Sequence, residues 1–171
     1  MSYTFITLVS PVGELKLVAN GSRLAAILWE NDKPDRVRLG PMREAPDSPI
    51  LMRTAQQLRE YFAGTRNRFD LELDFAGTEF QKKVWAALLT IPFGETRSYS
   101  EIARQIGNPS AVRAVGAANG KNPISIVAPC HRVIGASGNL TGFAGGLEAK
   151  ERLLMLEGCE WSGLSRTGEL F

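Results

Sequence analysis

The chain's single histidine, His131, directly follows one of its two cysteines, Cys130, in the run Pro129-Cys130-His131-Arg132-Val133. A free thiol titrates near ~8.5 and is only a few per cent thiolate at neutral pH. An imidazole acting as base, with positive charge from Arg132 or a helix N-terminus, raises the thiolate fraction. Side chains of adjacent residues rarely point at one another, so a bridging water is the expected proton path from sulfur to ring. A carboxylate is then needed beyond the imidazole, to orient it and to support its cation. Glu157, at the end of the last expected helix, can supply that group; so can Glu148 or Glu151, and the residue types do not choose among them. The pattern points to nucleophilic cysteine chemistry. The competing reading is an inert buried cysteine beside a surface histidine. One histidine with two cysteines, Cys130 and Cys159, is too few ligands for a closed zinc site or a disulfide scaffold. Both thiols are read as reduced, and neither a metal nor a cofactor is expected.

The elements that must position this pair follow from composition and periodicity. The chain has 171 residues, 44% hydrophobic and 22% charged, with a mean hydropathy of −0.09. That balance suits one globular domain or two small ones and excludes a disordered or collagen-like chain. No apolar run reaches the ~18 residues of a membrane span, and the start lacks a signal peptide's basic and apolar regions, so a cytoplasmic location is expected. Tyr3–Val9, Gly13–Asn20 and Arg23–Glu30 read as strands, with Asn20-Gly21 as a hairpin turn. Residues 31–49, holding four prolines, read as loop, Ile50–Ala63 as a helix, and residues 65–77 as a strand and linker. Thr78-x-x-Gln81 and Ser98-x-x-Glu101 are capping boxes opening two further helices. Asn108-Pro109 is expected to cap a third, Ser110–Ala118, in a helix-turn-helix. Val133–Phe143 reads as a hairpin or wing, and Leu147–Glu157 as a last helix. The predicted fold is an α/β N-terminal domain, residues 1–77, built of a small antiparallel sheet plus a helix. A mostly α C-terminal domain, residues 78–171, follows it and carries a winged helix-turn-helix.

Charge separates the two halves. Residues 1–77 carry 10 basic and 10 acidic side chains, whereas residues 96–147 carry five basic groups (Arg97, Arg104, Arg113, Lys121, Arg132) against Glu101. That excess has the sign needed to meet a polyanion. The helix after the turn, Ser110-Ala-Val-Arg-Ala-Val-Gly-Ala-Ala-Asn119, is unusual for a base-reading helix because Arg113 is its only long polar side chain. Small residues there suit either tight internal packing or close approach to a minor groove, with Arg113 wedged into the base stack.

Together these residues identify a resemblance. Pro129-Cys-His-Arg-Val-Ile134, then Gly138, Gly142-Phe-Ala-Gly-Gly-Leu147, Lys150-Glu151 and Glu157-Gly158, closely resemble the methylated-DNA–protein-cysteine methyltransferases, or O6-alkylguanine-DNA alkyltransferases. Ile91-Pro-Phe-Gly94, Ser98-Tyr99, Arg113-Ala-Val-Gly116 and Asn122-Pro123 do so too. The likeness covers roughly residues 78–158; the first 77 residues fit only by length and strand-then-helix order. It implies direct-reversal DNA repair by a monomer bound in the minor groove of double-stranded DNA containing O6-alkylguanine. The alkyl group passes irreversibly to Cys130, once per molecule. His131 would take the thiol proton through water with Glu157 behind it, and Asn122 would brace the segment before the cysteine. Tyr99 would rotate the nucleotide outward by pushing its 3′ phosphate, then hydrogen-bond guanine N3. The carbonyls of Cys130 and Val133 would accept from the exocyclic amine, and Ala144 N–H, beside Gly145, would donate to O6. Ala114, Gly116 and Ala117 would lie near the sugar-phosphate walls, with Ser100, Asn108 and Ala136 also at the DNA and Arg113 filling the vacated stack.

Two departures are visible. The zinc ligands that some members carry near the N-terminus are missing. Phe143-Ala144 replaces a Tyr-Ser pair of some relatives, which removes a hydroxyl and bears on alkyl size and on O4-alkylthymine. Competing functions are a lesion-binding module without chemistry and a Cys-His-Glu hydrolase.

Overall fold

The Asn20-Gly21 pair folds as a tight turn, with Gly21 at φ +61°, a conformation that costs a side-chain-bearing residue energy. It joins the second and third of three antiparallel strands, β1 (Tyr3–Ser10), β2 (Gly13–Asn20) and β3 (Arg23–Trp29). Leu17 on β2 stands opposite Ile6 of β1 and Ile27 of β3. The computed structural model describes residues 2–159, so residues 160–171 of the predicted C-terminal domain lie outside them.

Part of the segment read as loop is a strand. Met42–Glu44, here β4, pairs in parallel with β1 and extends the sheet order to β3-β2-β1-β4. Prolines at 41 and 46 leave only this short stretch able to donate to the open edge of β1. Helix α1 (Pro49–Phe62) begins on Pro49 and packs Leu51, Ala55 and Leu58 inward. These side chains and Leu15, Leu17, Leu24 and Ile27 are at most 3% exposed, each leucine or isoleucine burial stabilising by roughly 1.5–3 kcal/mol.

The strand expected within residues 65–77 reduces to one bridge, Leu24 with Leu73. The buried amide of Gln57 holds the backbone of Asp70 from both sides, donating to its carbonyl at 3.1 Å and accepting from its N–H at 2.9 Å. That clamp turns the chain so that only Glu72 O and Asp74 N reach Leu24 on β3. A second bridge, Ile27 with Ile124, adds Pro123–Ser125 to this first unit, which otherwise runs to Ala76. Both bridges cover the outer edge of β3, which would otherwise expose unpaired backbone groups.

Among the described residues the second unit comprises Gly77–Asn122 and residues 126–159. Helix α2 (Glu79–Leu88) opens on Thr78, whose hydroxyl accepts from Gln81 N–H while the Gln81 side chain accepts from Thr78 N–H. Ser98 and Glu101 form the same reciprocal pair at α3 (Tyr99–Gln105). Gly107, at φ +80°, ends α3 in a conformation that disfavours other residues. Helix α4 spans Val112–Gly120, two residues later than expected, and Asn108 does not cap it. Asn108 instead accepts the Ala111 N–H through its carbonyl, so Asn108 and Pro109 form the turn between the helices. Trp85 of α2 donates to Ala118 O at 2.8 Å and holds α4 in place.

The expected hairpin after the cysteine is likewise revised. Strand β5 (Arg97–Ser98) pairs in parallel with β6 (Val133–Ile134), and Gly135 N–H to Asn139 O closes a tight loop beyond it. Helix α5 (Leu147–Leu156) packs Leu154 with Ile134, Leu140 and Cys159, and Leu147 lies against this cluster. Among the described residues no helix is long and apolar enough to cross a membrane.

Candidate active site

Cys130 begins a single 3-10 turn, Cys130–Arg132, between a buried run and β6. The run is tightly held: Asn122 donates from its amide to Ala128 O at 2.8 Å, and Cys130 N–H reaches the same carbonyl at 2.7 Å. Asn119 on α4 donates to Cys130 O at 3.4 Å, and Val133 N–H reaches that carbonyl too. These two contacts fix the orientation of the Cys130 carbonyl. The cysteine itself is 3% exposed.

His131 is fully buried and turns away from bulk water. Its Nε2 lies 2.7 Å from Glu157 Oε2. Arg132 forks onto the same carboxylate, Nε to Oε1 at 2.7 Å and its second terminal nitrogen to Oε2 at 3.0 Å, while its other terminal nitrogen donates to Ile91 O at 2.6 Å. Burial works against a charged Glu157, yet the hydrogen bonds and positive charge of His131 and Arg132 prevail and hold its carboxyl at about 2. Burial lowers the His131 pKa below its ordinary 6.5 despite the pull of Glu157. A neutral imidazole beside an ionised carboxylate carries its proton on Nε2. The Nδ1 lone pair then remains, buried and without a hydrogen-bond partner among the described residues. Of the three candidate carboxylates the geometry selects Glu157; Glu148 is exposed and paired with Arg152.

Arg132 is thus committed to Glu157 and is not the cation beside the sulfur. That place belongs to Lys150, a residue with no role among the sequence-based expectations. Its side chain is completely buried, and Nζ donates to Val133 O at 2.7 Å and to Thr141 Oγ1 at 3.4 Å. Burial pushes its pKa down to about 8, while the charge of a Cys130 thiolate favours the ammonium form. A sequence signal existed: Lys150 lies three residues after Leu147 and four before Leu154, on the inward stripe of α5. Tyr99, at the start of α3, hydrogen-bonds Thr141 through its hydroxyl. Burial raises its pKa, and the charge of Cys130 adds to that.

The small residues of α4 divide between two faces. Val115, Ala118 and Asn119 are buried, whereas Arg113, Ala114 and Ala117 are exposed. A Cβ on Gly116 would meet the Tyr99 ring at 3.8 Å, an ordinary contact, so packing alone does not require glycine there. Ser100 is half-buried, and Asn108 and Ala136 are exposed. Ala144 and Gly145 are half-buried, and Ala144 N–H finds no acceptor among the described residues.

Comparison with known proteins accounts for this arrangement. The family model of the DNA binding domain of 6-O-methylguanine DNA methyltransferase matches residues 79–159, and that of its ribonuclease-like domain matches residues 1–75. A methylated-DNA–protein-cysteine methyltransferase of Mycobacterium tuberculosis is 54% identical, covering 88% of this chain and 90% of its own length. The chain belongs to the methylated-DNA–protein-cysteine methyltransferase family. A Methanosarcina acetivorans methyltransferase of this family is 49% identical over 87% of this chain and 94% of its own. The crystal structure of Mycobacterium tuberculosis OGT in complex with DNA superposes with a TM-score of 0.84 at 50% identity, covering 92% and 93% of the two chains. Methyltransferase-family membership extends to the first 75 residues, where the sequence offered only length and element order. No chemical motif marks that unit, so only its sheet and helix could be anticipated.

Proposed function

We propose that this chain repairs DNA by moving the alkyl group of O6-alkylguanine onto the sulfur of Cys130, once per molecule. The observation that carries this reading is the buried, unpartnered Nδ1 of His131, on a ring locked by Glu157 and adjacent to Cys130. A water between sulfur and Nδ1 passes the thiol proton to the imidazole, and Glu157, held in place by Arg132, supports the resulting cation. The thiolate attacks the alkyl carbon, a carbon–sulfur bond forms and the carbon–O6 bond breaks, its electron pair leaving on the guanine. The proton held by His131 returns through solvent to the purine. The product is a thioether, which thiol exchange does not reverse.

The substrate must leave the base stack, at a cost of a few kcal/mol. Ala114, Gly116 and Ala117 let α4 approach the minor groove, with Ser100, Asn108 and Ala136 at its margins, and Arg113 fills the vacated position. Tyr99 turns the nucleotide outward and then donates to guanine N3. Ala144 N–H, beside Gly145, donates to O6. Val133 O, with one lone pair on Lys150, offers the other to the exocyclic amine. Asn122 keeps the cysteine segment fixed. One chain carries every one of these groups, so it acts as a monomer.

The test is intact-protein mass after incubation with duplex DNA containing O6-methylguanine. One methyl in place of a proton, on the peptide holding Cys130 and absent in Cys130→Ala, is the expected result. Binding without any adduct would instead make the protein a lesion-marking module. More than one transfer per protein would rule out the suicide mechanism.

A further inference from the structure

Three groups of the second unit form a hydrogen-bonded chain: the Lys150 ammonium, the Thr141 hydroxyl and the Tyr99 phenol. Their polarity follows from donor counting. An ammonium has donors only, so Lys150 takes one lone pair of Thr141 Oγ1. The Thr141 proton then needs an acceptor, and among the described residues the only other polar group it meets is the Tyr99 oxygen. If Thr141 donates to Tyr99, neither hydroxyl proton is stranded: that of Thr141 lies on the Tyr99 oxygen, and that of the phenol stays available to a substrate acceptor. The reverse arrangement, with Tyr99 donating to Thr141, strands the threonine proton. Both contacts of the half-buried Thr141 hydroxyl are partly shielded from water, so a donor stranded there is disfavoured and the first arrangement is preferred.

We propose that Thr141 is a positioning residue that sets Tyr99 as a hydrogen-bond donor toward the substrate, its own hydroxyl being oriented by Lys150. This inference rests on the alkyl-transfer reading above, in which Tyr99 donates to the lone pair of guanine N3. That acceptor cannot use a phenol that presents its oxygen alone. Burial supports the arrangement, because it keeps the phenol protonated and so keeps a proton there to give. The second lone pair of the Tyr99 oxygen makes no other contact among the described residues, so Thr141 is the one group that fixes the rotation of its O–H bond.

The experiment measures single-turnover methyl transfer from O6-methylguanine duplex DNA to Cys130 in wild type, Thr141→Val, Thr141→Ser, Tyr99→Phe and Thr141→Val/Tyr99→Phe. Thermal unfolding of each variant is recorded alongside. Valine keeps the shape of threonine and deletes the hydroxyl; serine keeps the hydroxyl. Transfer is expected to slow by about tenfold or more in Thr141→Val and to stay within about threefold of wild type in Thr141→Ser, a buried hydrogen bond to an oriented group having this order of effect. In the Tyr99→Phe background Thr141→Val is expected to add no more than about twofold, because the two act as one unit. A Thr141→Val protein as fast as wild type, a Thr141→Ser protein as slow as Thr141→Val, or effects of valine and phenylalanine that multiply would each overturn the assignment. Failure of wild type itself to take up a methyl group would overturn the transfer reading instead, so the two failures are distinct.

Discussion

The Glu157 carboxylate accepts from His131 and Arg132 together, and a buried charge held this way has a pH signature. Its pKa is about 2 in the fold against 4.5 ordinarily, so the stability it contributes is complete above 4.5 and is lost as pH falls from there toward 2. The shift corresponds to on the order of 3 kcal/mol. His131 acts earlier in the same direction: its pKa is lowered in the fold, so below 6.5 the unfolded chain takes up a proton that the folded one resists. Urea denaturation from pH 7 to pH 3 is therefore expected to show falling stability in two limbs. Glu157→Gln leaves the Arg132 cation uncompensated and is expected to cost about 3 kcal/mol at pH 7 and to flatten the lower limb. An unchanged acid limb in that variant would place the titration elsewhere. At this scale the nucleophile and base were legible because histidine is unique in the chain and cysteine nearly so. The carboxylate was legible only through the family resemblance, since residue types alone do not choose it over Glu148 and Glu151 and its selection depends on how α5 ends against the 3-10 turn. Lys150 stood in the resembling motif without a role because a lysine on a helix is ordinarily read as solvated.

The elements hold the cysteine through a backbone conformation that a sequence does not announce. Ile126 has φ +74°, the only non-glycine residue with positive φ among the described residues, and it is 1% exposed. A β-branched residue there carries on the order of 1–3 kcal/mol of strain. It is held by the buried run Ile124–Ala128 and by the Asn122 amide on Ala128 O, so the strain sits four residues from the nucleophile. Ile126→Ala and Ile126→Gly both lose the side chain, but only glycine releases the backbone. Glycine is expected to be the more stable of the two by about 1 kcal/mol, the reverse of the usual order. Urea midpoints of the two variants check this, and a more stable alanine would mean no strain exists. Helix starts were legible in the two capping boxes because each places its partner residues within one turn. The parallel pairing of β5 with β6, the β4 strand and the late start of α4 were not. Each depends on a partner distant in sequence or on a turn that competes with a cap.

For the molecule as a whole, the charge that favours DNA is smaller than the sequence count suggests. Of the five basic groups in residues 96–147, Arg132 is buried on Glu157 and Arg97 is paired with Glu95. Arg104, Arg113 and Lys121 are exposed. Were all three to neutralise phosphates, the salt slope would reach roughly −3 in log affinity against log salt concentration, or about 40-fold weaker binding between 50 and 200 mM salt, and this is the upper bound. Fluorescence anisotropy with a labelled duplex measures this slope, and a value steeper than about −6 would require cations beyond these three. Arg113 differs from the other two because its proposed work is to fill a stack rather than to neutralise a phosphate. Lys121→Ala is therefore expected to lower affinity and shallow the slope by about one, while the transfer rate at saturating DNA stays unchanged. Arg113→Ala is expected to slow transfer from duplex at saturation by about tenfold or more, the order set by a flipping cost of a few kcal/mol, and to leave transfer from a single strand within about twofold. A single strand has no stack to refill, so equal losses on both substrates would reduce Arg113 to one more surface cation.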